Sequence, residues 1–135
     1  AAIGIQQLRR REEFSSKRQV LARTYDRLLE DLEMVVSIPH DYKEVVPFLY
    51  AVCIQGGHDV PAIRARLHAS GIQTGAHYQP NHDLTLFGGR DEPPLPVAAD
   101  LYPKLMTLPL HPDLTVEDVE YICVRLTEAI CATTG

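Results

Sequence analysis

The protein has 135 residues, of which 45% are hydrophobic and 23% are charged, and its formal net charge is -5. This length and composition suit one compact globular domain and exclude a disordered chain. The acidic balance argues against nucleic acid or an anionic membrane as the main partner, because both attract basic surfaces. No apolar run approaches the roughly 20 residues that cross a bilayer.

The cysteines indicate the compartment. Cys53, Cys123 and Cys131 are odd in number, are widely spaced and form no CxxC pair. We therefore expect neither a disulfide framework nor a structural zinc site, and we expect the protein to be cytoplasmic.

The first 32 residues predict one long helix. They contain no proline and only one glycine, Gly4, and Phe14, Leu21 and Leu28 recur every seven residues. Unbroken, this helix over residues 1–32 would be about 45 Å long at 1.5 Å per residue. Because so small a domain cannot cover that length, we expect part of it to pack on another surface. The opening "AAIGIQQL" has no capping residue, so we also expect the chain to be a piece of a longer protein.

The next segments predict two strands and a helix. Residues 34–38 form a short apolar run, which favours an edge strand or an extended connector. Residues 45–54, "VVPFLYAVCI", are rich in β-branched and aromatic residues and predict a buried strand. After the turn "QGGHD", Asp59 is a candidate N-cap for a helix that ends near Gly71.

The middle of the chain alternates extended and irregular segments. Residues 72–78 are predicted to form a strand, and residues 88–94 a loop. A helix is expected over residues 97–105, although Pro103 should end it early. Residues 106–112, "MTLPLHP", are extended, and their prolines suit an edge strand better than a central one.

The last segment predicts a capped amphipathic helix. Thr115 and Asp118 have the spacing of a capping box. The apolar stripe of this helix consists of Val119, Ile122, Cys123, Leu126 and Ile130. The order of elements predicts one domain over residues 1–135 of the α+β class, with a small, mostly antiparallel sheet packed against helices.

The stretch "GAHYQPNH", residues 75–82, concentrates polar side chains outside any regular periodicity. If the chain stays extended, His77 and Tyr78 point to opposite faces, and Pro80 turns the chain so that His82 returns to the same region. The stretch is either a ligand-facing loop or a surface loop with satisfied histidines.

A metal site is an alternative use of the same histidines. His77, His82 and Asp83 could supply ligands, with His58 or His68 as a further one. The HExxH spacing and a cysteine pair are both missing, so we expect no metal.

The sequence offers no catalytic constellation of its own. There is no GxSxG and no phosphate-binding glycine motif. The three lysines, Lys17, Lys43 and Lys104, lie in settings that would not desolvate an amine, as a Schiff-base lysine requires. We expect the chain alone to be inactive.

Five stretches, in order, resemble the C-terminal part of the DegT/DnrJ/EryC1/StrS family of sugar aminotransferases. They are "AAIGIQQL", "VPFLYAVCI", "LHASGIQTGAHYQPNH", "LPVAADLYPKLMTLPLHPDLT" and "EDVEYICVRLTEAI". The resemblance implies the C-terminal small domain of the fold-type I fold of pyridoxal-phosphate enzymes. It implies that the parent enzyme is a homodimer.

The resemblance also implies a chemistry and a site. Such enzymes transfer an amino group, typically from glutamate, to a keto-sugar linked to a nucleotide. Their catalytic lysine and most cofactor contacts lie outside the matching part, so no cofactor is expected in this chain alone. By the same resemblance, His77, Tyr78 and His82 would bind the sugar nucleotide at one wall of the substrate cleft.

Two alternatives stay open at this point. Some relatives of the family dehydrate sugars instead of aminating them. The heptad stripe of Phe14, Leu21 and Leu28 is also compatible with a non-catalytic module whose first helix pairs with a partner.

Overall fold

The computed structural model of the chain describes residues 2–87 and 95–133, so the predicted loop at residues 88–94 lies outside the described residues. The described helices and strands follow in chain order. They are α1 (Ala2–Arg9), α2 (Arg11–Leu29), β1 (Val35–Ser37), β2 (Tyr50–Ile54), α3 (Val60–Ala69), α4 (Pro96–Leu101), β3 (Leu105–Leu108) and α5 (Val116–Cys131).

The strands form an antiparallel sheet in the order β1-β2-β3 within the described residues. Val36 lies opposite Cys53, and Ala51 lies opposite Thr107. Side chains alternate between the two faces of a strand. Val52 and Met106, which are paired, therefore point to the face opposite that of Ala51 and Thr107, and both are fully buried. The predicted α+β class with a small antiparallel sheet is confirmed.

The hydrophobic core lies between this buried face and helices α2, α3 and α5. Its most deeply buried side chains include Tyr25, Ile63, Leu67, Met106 and Leu126. The predicted stripe of α5 is buried as expected. Among residues 2–87 and 95–133, no helix combines the length and the apolar character that crossing a membrane requires.

The N-terminal helical region is divided instead of continuous. Arg10 leaves helical geometry with φ -96° and ψ 5°, and α2 ends at Leu29 instead of residue 32. Helix α1 contributes no buried residue, so no packing holds it in line with α2. By contrast, Leu21 is buried in the core and Leu28 packs against it.

The predicted strand at residues 45–54 is too long, since β2 begins only at Tyr50. The Asp41 carbonyl accepts hydrogen bonds from the backbone N–H groups of Glu44 and Val45, so the chain forms a turn here. Pro47 then lacks the N–H that a sheet ladder requires.

The strand predicted at residues 72–78 is wrong, because only Gly75 pairs, in an isolated bridge to Thr107. If this antiparallel pairing continued beyond Thr107, the next residue that would have to donate its N–H is Pro109. Proline has no N–H to donate, so the ladder cannot continue in that direction.

The predicted helix ends are confirmed. The Asp59 carboxylate accepts a hydrogen bond from the Ala62 N–H, and Gly71 adopts φ 79° after α3. Thr115 and Asp118 form both bonds of a capping box at α5. Helix α4 stops before Pro103, and β3 is an edge strand, as the prolines around it indicated.

Candidate functional site

The candidate site is built where the segment after α3 meets the outer edge of β3. The Gly75 N–H donates to the Thr107 carbonyl at 3.1 Å, and the Thr107 N–H donates to the Gly75 carbonyl at 2.8 Å. This pair of bonds fixes the backbone two residues before His77. The start of the "GAHYQPNH" stretch is therefore attached to the sheet.

The ring of His77 lies directly over Gly75 and contacts Thr107. Its Nδ1 is 2.8 Å from the Thr107 Oγ1, and Thr107 is only 5% exposed. A Cβ at position 75 would overlap the Cε1 of His77 and would lie 2.7 Å from the Thr107 Oγ1. The absence of a Cβ at position 75 thus leaves the space that the imidazole occupies, and any other residue there would force the ring to move.

The side chain of Tyr78 is highly accessible, with 74% of its surface exposed. Its ring meets the His77 ring edge to face, with centroids 4.8 Å apart and an interplanar angle of 90°. The expectation that these two side chains point to opposite faces is therefore wrong. They form one contiguous polar and aromatic surface.

His82 lies in a single turn of 3-10 helix, Asn81–Asp83, and is partly buried. Its Nε2 is 3.7 Å from the Asp83 Oδ1. In the part of the chain that the structure describes, no hydrogen bond or ring contact joins His82 to His77 or Tyr78. The structure thus pairs His82 with Asp83 and groups His77 with Tyr78.

The described residues bring together no set of metal ligands. Across residues 2–87 and 95–133, no group of three or more His, Cys, Asp or Glu side chains could hold a metal ion. His58, the further ligand considered from sequence, instead has its Nε2 3.0 Å from the Met34 Sδ.

The lysines and Cys123 are not poised for covalent chemistry in the part of the chain that the structure describes. Lys17 pairs with Glu13 at 3.8 Å, Lys104 pairs with Asp100 at 2.6 Å, and Lys43 is exposed. The cysteines are free thiols, and burial raises the pKa of Cys123 to about 12. A thiol with such a pKa carries almost no thiolate at neutral pH.

The arrangement is suited to binding oxygen-rich ligands. An imidazole and a phenol side by side can donate and accept hydrogen bonds to hydroxyl groups and phosphate oxygens. Their attachment to the sheet through Gly75 and Thr107 limits the flexibility of His77, as recognition requires.

Sequence reasoning missed Thr107. His77 and Tyr78 were predicted from the polar stretch that contains them and from the family resemblance, and neither signal points to β3. The only local signal for Thr107 is a hydroxyl in the otherwise apolar strand sequence "LMTL". Its contact spans 30 positions in the sequence, which no local pattern reveals.

Comparison with known proteins identifies the family to which this chain belongs. Over 131 residues the chain is 30% identical to the dTDP-4-dehydro-2,3,6-trideoxy-D-glucose 4-aminotransferase of Saccharopolyspora spinosa, covering 96% of this chain and 34% of that protein. It is 28% identical to the GDP-perosamine synthase of Escherichia coli O157:H7, covering 95% of this chain and 35% of that protein.

A solved structure shows the same fold. The aminotransferase TlmJ from Streptoalloteichus hindustanus superposes with a TM-score of 0.83 at 29% identity, covering 98% of this chain and 36% of that one. The fold and the sequence together define a domain of the aminotransferase class. Residues 1–127 match the sequence model of one family, and the chain belongs to it: the DegT/DnrJ/EryC1/StrS aminotransferase family. The chain spans about a third of the length of the relatives it matches.

Proposed function

We propose that this chain is the C-terminal small domain of a pyridoxal-phosphate-dependent aminotransferase. In this proposal the whole protein transfers an amino group from glutamate to the keto group of a nucleotide-linked sugar. The observation that carries the proposal is the family match over residues 1–127, together with a relative that aminates a dTDP-linked dehydro-sugar.

The residues of this chain do not fit the cofactor itself. Pyridoxal phosphate is held covalently by a lysine in a desolvated pocket, and none of the three lysines is buried. The proposal therefore assigns no cofactor chemistry to this chain and places that chemistry in the rest of a longer, cytoplasmic and homodimeric protein.

The role proposed for this chain is to form one wall of the substrate cleft. His77 and Tyr78 would bind the sugar nucleotide through its hydroxyl or phosphate oxygens. Their exposure and mutual contact support this role. His82 would contribute from the neighbouring turn, where Asp83 lies close to its Nε2.

The activity is tested on the whole protein. Purified protein should show the visible absorbance of a lysine-bound cofactor, and this absorbance should vanish when the cofactor-binding lysine is replaced. With glutamate and a nucleotide-linked keto-sugar, mass spectrometry should detect the amino-sugar and 2-oxoglutarate. Absence of both the absorbance and the product would contradict the proposal, and a dehydrated product would favour the dehydratase alternative.

The role of the site is tested with a matched pair of tyrosine variants. Tyr78→Phe should raise the KM for the sugar nucleotide, because it removes an exposed hydroxyl from the proposed wall. Tyr121→Phe removes an exposed hydroxyl from α5 and should leave the KM unchanged. An equal response of the two variants would show that Tyr78 has no special role in binding.

The heptad stripe no longer supports the alternative of a helix-mediated interaction module. The heptad stripe is largely used inside the domain, since Leu21 is buried and Leu28 packs against the core. A stripe that covers its own core is not free for a partner helix.

A further inference from the structure

We infer that Thr107 is a positioning residue that holds the neutral imidazole of His77 in the tautomer with its proton on Nε2. The inference rests on the proposed function, because it explains how a substrate-binding histidine would be presented. It adds to that function a residue on a different element, β3, and a defined donor for the ligand.

The hydroxyl of Thr107 is the origin of this preference. Thr107 is 5% exposed, and among the described residues its hydroxyl makes one hydrogen-bond contact, with the His77 Nδ1 at 2.8 Å. A buried hydroxyl must donate its proton to an acceptor, or the unmade hydrogen bond destabilises the fold. The acceptor within reach is Nδ1, so Nδ1 carries no proton and the proton of the neutral ring resides on Nε2.

The contact is rigid on both sides. Thr107 lies in β3, where it is opposite Ala51 of β2 on one side and bridged to Gly75 on the other. The ring of His77 lies over Gly75 and against the ring of Tyr78. An imidazole confined in this way cannot rotate to exchange its two nitrogens without losing the bond to Thr107.

The tautomer decides which ligand atoms the site accepts. With Nδ1 occupied by Thr107, the second ring nitrogen is an N–H donor available to a ligand. An N–H donor binds an acceptor oxygen, such as a phosphate oxygen or a sugar carbonyl or hydroxyl oxygen. The opposite tautomer would present a lone pair that repels a phosphate oxygen.

The tautomer is measured directly by NMR from the chemical shifts of the histidine ring nitrogens, in the whole protein labelled with nitrogen-15 in its histidines. The His77 signal is assigned as the one lost in His77→Gln. In the neutral form of its ring, His77 of the native protein should show a protonated Nε2 and an unprotonated Nδ1. Thr107→Ser should keep this pattern, whereas Thr107→Val should give a mixture of tautomers. A protonated Nδ1 in the native protein, or an unchanged pattern in Thr107→Val, would overturn the inference.

A kinetic comparison separates the positioning role from the proposed function. Thr107→Val removes the hydrogen bond that orients His77 and should raise the KM about fivefold to tenfold, with a smaller change in kcat. Thr107→Ser keeps the hydroxyl and should change neither the KM nor kcat. If the tautomer is lost in Thr107→Val while the KM stays constant, Thr107 does position His77, but the substrate-binding role proposed for His77 is wrong. Thermal unfolding verifies the folded state, and Thr107→Ala replaces Thr107→Val if valine prevents folding.

Discussion

The rings of Tyr25 and Tyr50 stack in the core with their centroids 4.5 Å apart and an interplanar angle of 22°. The Tyr25 hydroxyl donates to the Pro109 carbonyl at 2.9 Å, and the Tyr50 hydroxyl donates to the Asp26 carboxylate at 2.7 Å. The pair thus joins α2 to β2 and to the segment that follows β3. These two tyrosines connect the helical layer to the sheet that carries the candidate site.

Tyr25→Phe should destabilise the fold through a single lost hydrogen bond. The ring stays in place, but the Pro109 carbonyl loses its donor, which costs about 1 kcal/mol. The measurement is the free energy of unfolding in urea. Tyr121→Phe is the control, since its hydroxyl bonds to the Ser70 carbonyl at the surface and should contribute less than about 0.5 kcal/mol. Equal losses in the two variants would contradict the role of Tyr25.

The buried tyrosines predict a loss of stability in alkali. Burial raises the pKa of Tyr25, Tyr42 and Tyr50 above the ordinary value of 10.0. The contribution of these groups to stability is complete below pH 10 and is lost as the pH rises above it, because the unfolded chain ionises first. Tyrosinate absorbance and circular dichroism should therefore show these three rings ionising together with unfolding. Their ionisation in a chain with native dichroism would contradict the prediction.

Gly75→Ala should displace His77. The added Cβ would overlap the imidazole and crowd the Thr107 hydroxyl, so the ring must leave its position. We expect the His77 resonance to lose its native shift and the stability to fall. Gly4→Ala is the matched control, because nothing lies within 4 Å of a Cβ there and alanine favours a helix. An unchanged His77 signal in Gly75→Ala would refute the close contact.

The capping box of α5 predicts an acid-sensitive helix end. Hydrogen bonds from the Thr115 backbone and hydroxyl lower the pKa of Asp118 below its ordinary value of 3.8. The stabilisation from Asp118 is present above pH 3.8 and is lost as the pH falls through the lower pKa of the folded state. Asp118→Asn should therefore flatten the acid limb of the stability profile.

The other half of the same box can be tested at neutral pH. Thr115→Ala removes the hydroxyl that accepts the Asp118 N–H and should cost about 1 kcal/mol. Thr115→Ser keeps the acceptor and is the control. Urea unfolding at neutral pH measures both, and a loss as large in the serine variant as in the alanine variant would argue against capping.

The cysteines should differ in reactivity. Cys53 and Cys123 are buried, and the pKa of Cys123 is raised to about 12 by burial, whereas Cys131 is exposed at the end of α5. Alkylation of the folded chain at neutral pH should label Cys131 first, with the position determined by mass spectrometry. In denaturant all cysteines should react, and early labelling of Cys123 in native conditions would show that α5 does not pack as described.

Local signals explain which elements the sequence predicted. Asp59, Gly71 and the Thr115–Asp118 box act within one helical turn, so their pattern is complete in the sequence. The end of α4 before Pro103 follows from the ring of proline alone.

Long-range packing explains what the sequence could not predict. The ladder of the strand expected at residues 72–78 cannot extend past Gly75 toward residue 72, because the partner there would be Pro109, more than 30 positions away in the sequence. Likewise, the orientation of His77 depends on Thr107, which comes from β3. The break at Arg10 is marked by neither proline nor glycine at that position, so the local sequence does not predict it.

The unpacked state of α1 has a consequence for hydrogen exchange. An isolated helix of eight residues is only marginally populated in water, and α1 has no buried side chain to stabilise it. In this chain by itself, the amide protons of α1 should exchange almost as fast as those of an unstructured peptide, whereas those of β2 should exchange only through global opening. Any slowing of α1 in a longer protein would then measure how firmly another surface covers Ile3, Ile5 and Leu8.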